Sequence, residues 1–151
     1  MILLALAIGI IAGLRAMTAP AAVAWAAHCG KLHLEGGWLA FMGWRFTPWI
    51  FNVLAVVELV TDQLPSTPSR KVPQQFGARV VMGGLCGASI GYGMTMLWAG
   101  LLLGVLGAVI GTLGGAAARG RLAAAFGSDR PAAFIEDAAA IGGAVLIYAA
   151  L

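Results

Sequence analysis

This chain has very little charge. Lys and Arg number 9 and Asp and Glu number 6, together 10% of 151 residues, against roughly 25% in an ordinary soluble domain. That shortage excludes a soluble globular enzyme and a charged, disordered tail. Two cysteines, Cys29 and Cys86, are too few for a disulfide scaffold and read as free thiols. A net charge of +3 is too small to mark a nucleic-acid-binding module, so nucleic acid is not an expected partner. The sequence pI of about 9.3 needs only a few Lys and Arg in the loops of a membrane protein. No Walker loop, zinc signature or serine-nucleophile motif is present. The sequence therefore offers no catalytic residue and no cofactor.

Apolar residues are abundant. They make up 61% of the chain, and the mean hydropathy is +0.93. A helix needs about 20 apolar residues to cross ~30 Å of hydrocarbon. The expected fold is therefore an all-α membrane protein, a single Gly-rich domain of about five transmembrane helices. The expected spans are 2–27, 48–64, 76–97, 100–118 and 131–150. The first lacks the leading Lys or Arg of a signal peptide and carries Arg15 within it, so it reads as a membrane helix. Residues 28–47 hold Trp38, Trp44 and Arg45, which suit the water–lipid boundary. Three prolines make 65–75 a turn. Trp98–Gly100 reads as a tight hairpin, and 119–130 as a polar loop with three arginines.

The basic residues orient the chain. Arg70, Lys71, Arg79, Arg119, Arg121 and Arg130 fall on one side, and Lys31 and Arg45 on the other. The positive-inside rule then places the N-terminus in the cytoplasm and the C-terminus outside an inner membrane. Spans one with two and four with five run in opposite senses, which suggests two inverted helix pairs joined by a central helix. Gly9-xxx-Gly13 before Arg15 echoes Gly111-xxx-Gly115 before Arg119. Inverted repeats of this kind are common in transporters.

Four of the six acids lie within spans: Glu58, Asp62, Glu136 and Asp137. A charge in the bilayer needs a partner or water. Counting about 1.5 Å per residue, Glu58 lies ~15 Å deep, near the midplane, and Asp62 one turn further in. Glu136 and Asp137 lie ~7–9 Å from the inner side, and Arg79 ~5 Å. Glu58 and Asp62 share one helix face, whereas Glu136 and Asp137 diverge by about 100°. Asp62, Glu136, Asp137 and Arg79 thus share a candidate inward-facing polar layer, while Arg15 and Glu58 lie deeper and are placed to pair. One reading is that the ion pairs fix packing. The other is that the surplus carboxylates bind an ion or small polar solute.

The stretch Gly13-Leu-Arg-Ala-Met-Thr-Ala-Pro20 looks like a broken helix. Pro20 removes the usual partner of the Ala16 carbonyl, and Thr18 is placed to help satisfy the freed groups. Glycine, 22 residues in all, follows the small-xxx-small pattern at Gly87/Gly91 and Gly107/Gly111. That pattern fits close packing within one chain or a homodimer through the Gly-rich helices. His28 and His33 flank Cys29 near the outer end, where solvated histidines are commoner than metal ligands, so the metal question stays open.

Gly13–Pro20, Glu58-Leu-Val-Thr-Asp-Gln-Leu-Pro65, Ser69-Arg70, Arg79 and the Pro131–Asp137 stretch resemble a family of small bacterial inner-membrane proteins catalogued as domain of unknown function 4126. The likeness covers most of the chain in short islands. It implies a multispan membrane protein and supplies no established activity. The leading expectation is a small transporter or channel-like protein using Glu58, Asp62, Glu136, Asp137, Arg15 and Arg79. An alternative is a Mg²⁺-dependent enzyme on a lipid phosphate, with Glu58 and Asp62 as the acidic pair. Another is a structural membrane subunit.

Overall fold

The computed structural model describes residues 2–64 and 72–151. Pro65, Ser69, Arg70 and Lys71, singled out in the sequence, lie outside the described residues. Those described form only helices and their connections, with no strand among them. In chain order they are α1 (Ile2–Leu14), α2 (Thr18–His28), a 3-10 helix (Trp38–Gly43), α3 (Thr47–Thr61), α4 (Pro73–Tyr92), α5 (Leu97–Phe126) and α6 (Asp129–Ala150). Two of them, α5 and α6, are long and apolar enough to cross a membrane, while α1 and α3 are shorter apolar helices.

Several boundaries differ from the sequence reading, each for a local reason. The segment 2–27 is two helices, parted at Arg15–Met17. Pro20 is not itself the break. It is the third residue of α2, where a missing N–H leaves no helical bond unmade. The polar stretch after Ala118 is not a loop: α5 runs on to Phe126. Ala, Arg and Leu are strong helix formers whatever their polarity, and this tract is built from them. The helix stops at Gly127, whose φ of +67° suits glycine at a C-terminal cap. The turn expected at Trp98–Gly100 lies at 93–96 instead, with Thr95 at φ +58°. Pro48 and Pro73 each fall in the first turn of their helices, where proline is accommodated.

The core has two halves. α1, α4 and α5 pack tightly against one another. Glycine permits this: the space a Cβ would need at Gly9 is filled by the Gly104 backbone, and at Gly87 by the backbone of Gly100 and Gly104. Gly107 and Gly111 meet α1 at Leu6 and Ile10 in the same way. The pairs Gly87/Gly91 and Gly107/Gly111 are thus used inside the chain. In the other half, α2 packs on α3, α6 and the 3-10 helix. The outward faces are apolar: Val53, Val57 and Val60 on α3, Leu102, Leu106 and Ile110 on α5, and Val145 and Leu146 on α6 are all exposed.

Candidate functional site: the α1–α2 break

Breaking a helix exposes carbonyls at one end and amides at the other. In a buried setting each needs a partner. Here two charged side chains and one hydroxyl, from three other helices, supply them. Arg79 of α4, 1% exposed, donates Nη1 to the carbonyls of Gly13 (2.7 Å) and Leu14 (2.5 Å) at the end of α1. Thr112 of α5 donates its hydroxyl to Gly13 (3.2 Å) as well as to Ala108 in its own helix (2.7 Å). On the other side of the break, Glu58 of α3 accepts the amides of Ala16 and Met17, one on each oxygen, both at 2.8 Å. A carboxylate at a helix N-terminus is further favoured by the helix dipole, and a guanidinium by the C-terminal end.

Arg15 sits in the break itself and is fully buried. It reaches across to two carboxylates. Its Nε donates to Asp137 Oδ1 at 2.6 Å, its Nη2 pairs with the same carboxylate, and its Nη1 bonds Asp62 Oδ2. Asp137 also accepts a bond from Gln63 Nε2 at 3.0 Å. Arg79 closes the cluster, with Nη2 3.7 Å from Asp62 and 3.8 Å from Glu58. Arg15, Glu58, Asp62, Arg79 and Asp137 therefore come together, whereas the depth estimate groups Asp62, Glu136, Asp137 and Arg79 in one layer with Arg15 and Glu58 deeper. The pairing differs in detail. Arg15 meets Asp62 and Asp137, whereas Glu58 turns to the backbone.

Glu136 is turned away from this group, as its 100° offset from Asp137 requires. It is buried, with its carboxylate 3.5 Å from Arg119 of α5. Arg119 in turn makes a two-armed bond to Asp129 at the start of α6, at 2.9 and 2.5 Å. This Arg119–Asp129–Glu136 set was not legible as a unit, because Arg119 was read as a loop residue. Thr18 does not take up the role suggested for it. Its hydroxyl is buried and has no hydrogen-bond partner among the described residues.

Among the described residues, no three His, Cys, Asp or Glu side chains are grouped to hold a metal ion. Cys29 is exposed and Cys86 buried, both free. Compared with family models, curated proteins and solved structures, the chain matches none.

Proposed function

We propose that this chain is a small integral inner-membrane protein that carries or conducts a cation, or a small cationic solute, through the α1–α2 break. The observation that carries the reading is Arg15, a buried guanidinium spanning Asp62 and Asp137. Those two carboxylates are held chiefly by a side chain, Arg15, whereas Glu58 and Arg79 are bound to backbone groups. A cation arriving at Asp62 and Asp137 competes with Arg15 for them. Release of Arg15 loosens the joint between α1 and α2, while Glu58 and Arg79 keep the helix ends in place. Broken helices flanked by charge are a recurrent design in membrane transporters.

The membrane placement is part of this proposal. Apolar outward faces on α3, α5 and α6 fit lipid better than water. The five expected spans correspond to α1 with α2, then α3, α4, α5 and α6, with the N-terminus cytoplasmic and the C-terminus periplasmic. The neighbouring pairs α2–α3 and α5–α6 are the candidates for two inverted units, joined by α4. The resemblance to the 4126 family belongs to the same proposal. A homodimer would use outward helix faces, because the glycine pairs named above are filled by helices of the same chain.

The Mg²⁺-enzyme alternative has less to stand on, since Glu58 is committed to two amides and Asp62 to Arg15. The structural-subunit alternative predicts stability effects alone. Cation flux into proteoliposomes separates these readings. The expected result is flux lost in Asp62→Asn and Asp137→Asn while both proteins remain folded. Undiminished flux in both variants defeats the assignment.

A further inference from the structure

Arg15 uses only one edge of the carboxylate pair at the break. Its Nε and Nη2 both meet Asp137 Oδ1, and its Nη1 meets Asp62 Oδ2. Arg79 Nη2 approaches that same Asp62 oxygen, at 3.7 Å. The other edge is less occupied. Among the described residues, Asp137 Oδ2 takes the Gln63 amide at 3.0 Å, and no hydrogen bond or ion pair reaches Asp62 Oδ1. Both aspartate side chains keep 13% of their surface exposed, and the Arg15 side chain keeps none. The pair is therefore reached from outside on the edge that Arg15 leaves.

Charge and shape then narrow the cation. Glu58, Asp62 and Asp137 are three carboxylates set against two guanidiniums, Arg15 and Arg79. One negative charge is left over among these residues, which a monovalent cation balances and a divalent one overshoots. An inorganic cation gives up its water only for a shell of oxygens, about six for Mg²⁺ or Ca²⁺. No three acids, histidines or cysteines are grouped to supply one among the described residues. An ammonium is a compact, strongly hydrated point charge. A guanidinium is planar and weakly hydrated, and its fork of donors matches carboxylates. Asp62 and Asp137 are already spaced for that fork, because the guanidinium of Arg15 bonds both. Exchange of like for like costs little, since the incoming group remakes the bonds that Arg15 gives up.

We propose that the cation taken up by this site is a guanidinium, free or carrying one alkyl group. It first lies along Asp62 Oδ1 and Asp137 Oδ2, and then replaces Arg15 between the two carboxylates, with any alkyl group in place of the Arg15 stem. This rests on the cation reading above and names its substrate class.

Calorimetric titration of the unaltered protein tests this, with choline chloride holding the ionic strength and guanidinium kept far below the molar concentrations that unfold proteins. Guanidinium and methylguanidinium are expected to bind saturably, at least about tenfold more tightly than sodium or potassium. Urea, which has the shape without the charge, and tetramethylguanidinium, which has lost most of its donors, are expected not to bind. Asp62→Asn/Asp137→Asn abolishes guanidinium binding, and Arg15→Lys, whose ammonium competes less well for the pair, tightens it. Should the double variant fail to fold, dipolar recoupling between ¹⁵N-guanidinium and ¹³C-aspartate carboxylates reads the same contact in the unaltered protein. Absence of saturable binding, equal affinity for sodium and guanidinium, or binding unchanged in a folded double variant would each overturn the proposal. Flux separates it from the reading on which it rests. Sodium or potassium flux without guanidinium binding keeps the transport reading and overturns the guanidinium. Guanidinium binding with no flux of any cation keeps the ligand and defeats transport.

Discussion

The helices around α1 and those around α2 are held by opposite means. On the α1 side, α4 and α5 approach through glycine, backbone against backbone, with Gly9, Gly87 and Gly104 leaving no room for a side chain. On the α2 side, charged groups join α3 and α6 to the break just before α2, α2 itself packs through small and aromatic residues such as Val23 and Trp25, and a groove is left open between α3 and α6. Dispersion between close backbones is short-ranged and fails once helices part. Ion pairs act over longer distances and tolerate rearrangement. The first half is suited to staying fixed and the second to exchanging partners. The break between α1 and α2 is the seam between them, and residues from α3, α4, α5 and α6 all reach it.

This contrast can be broken from either side. The largest effect is expected from Arg15→Met, which leaves Asp62 and Asp137 facing one another without their buried cation. Loss of one partner of a buried pair costs about 3–5 kcal/mol, to be read as a lowered unfolding midpoint in detergent. Combining it with Asp62→Asn and Asp137→Asn is expected to restore much of that stability, because the uncompensated charges go with the partner. Next comes Gly104→Ala, whose Cβ would meet the backbone of Gly83 and Gly87. Overpacking of this kind costs about 1–3 kcal/mol. No second change of charge should rescue it, which separates the two halves. Glu58→Gln is expected to be milder, about 1 kcal/mol. The amide oxygen still accepts one bond from Ala16 or Met17, but the NH₂ cannot accept the other. Val145→Ala, on the apolar mouth of the groove, is expected to shift the midpoint by less than about 0.5 kcal/mol.

Much of the seam was legible in the sequence, for a physical reason. A charge in a long apolar tract must find a partner, so Arg15, Glu58, Asp62, Arg79, Glu136 and Asp137 pointed to a cluster; Glu136 alone of these turns instead to Arg119. Helical periodicity put Glu58 and Asp62 on one face and sent Glu136 and Asp137 apart, and both hold. The identity of the partners was not legible. Glu58 bonds to backbone amides, and amides freed by a break carry no mark in the sequence. Thr18 was expected to serve groups freed near Pro20, and its hydroxyl finds no partner among the described residues. The extension of α5 to Phe126 was hidden by reading polarity as loop, although the Ala-rich tract is helical by propensity. The glycines were expected either inside the chain or at a dimer face, and only the three-dimensional packing of α1, α4 and α5 decides where Gly107 and Gly111 look.

The central claim is that Asp62 and Asp137 exchange Arg15 for a cation. Infrared difference spectroscopy of the membrane-reconstituted protein tests it directly, by replacing choline with sodium or potassium in the buffer and following the carboxylate stretching bands. The account predicts difference bands in the unaltered protein that vanish in Asp62→Asn/Asp137→Asn and persist in Glu136→Gln. A featureless difference spectrum, or bands unchanged in the double variant, would contradict it.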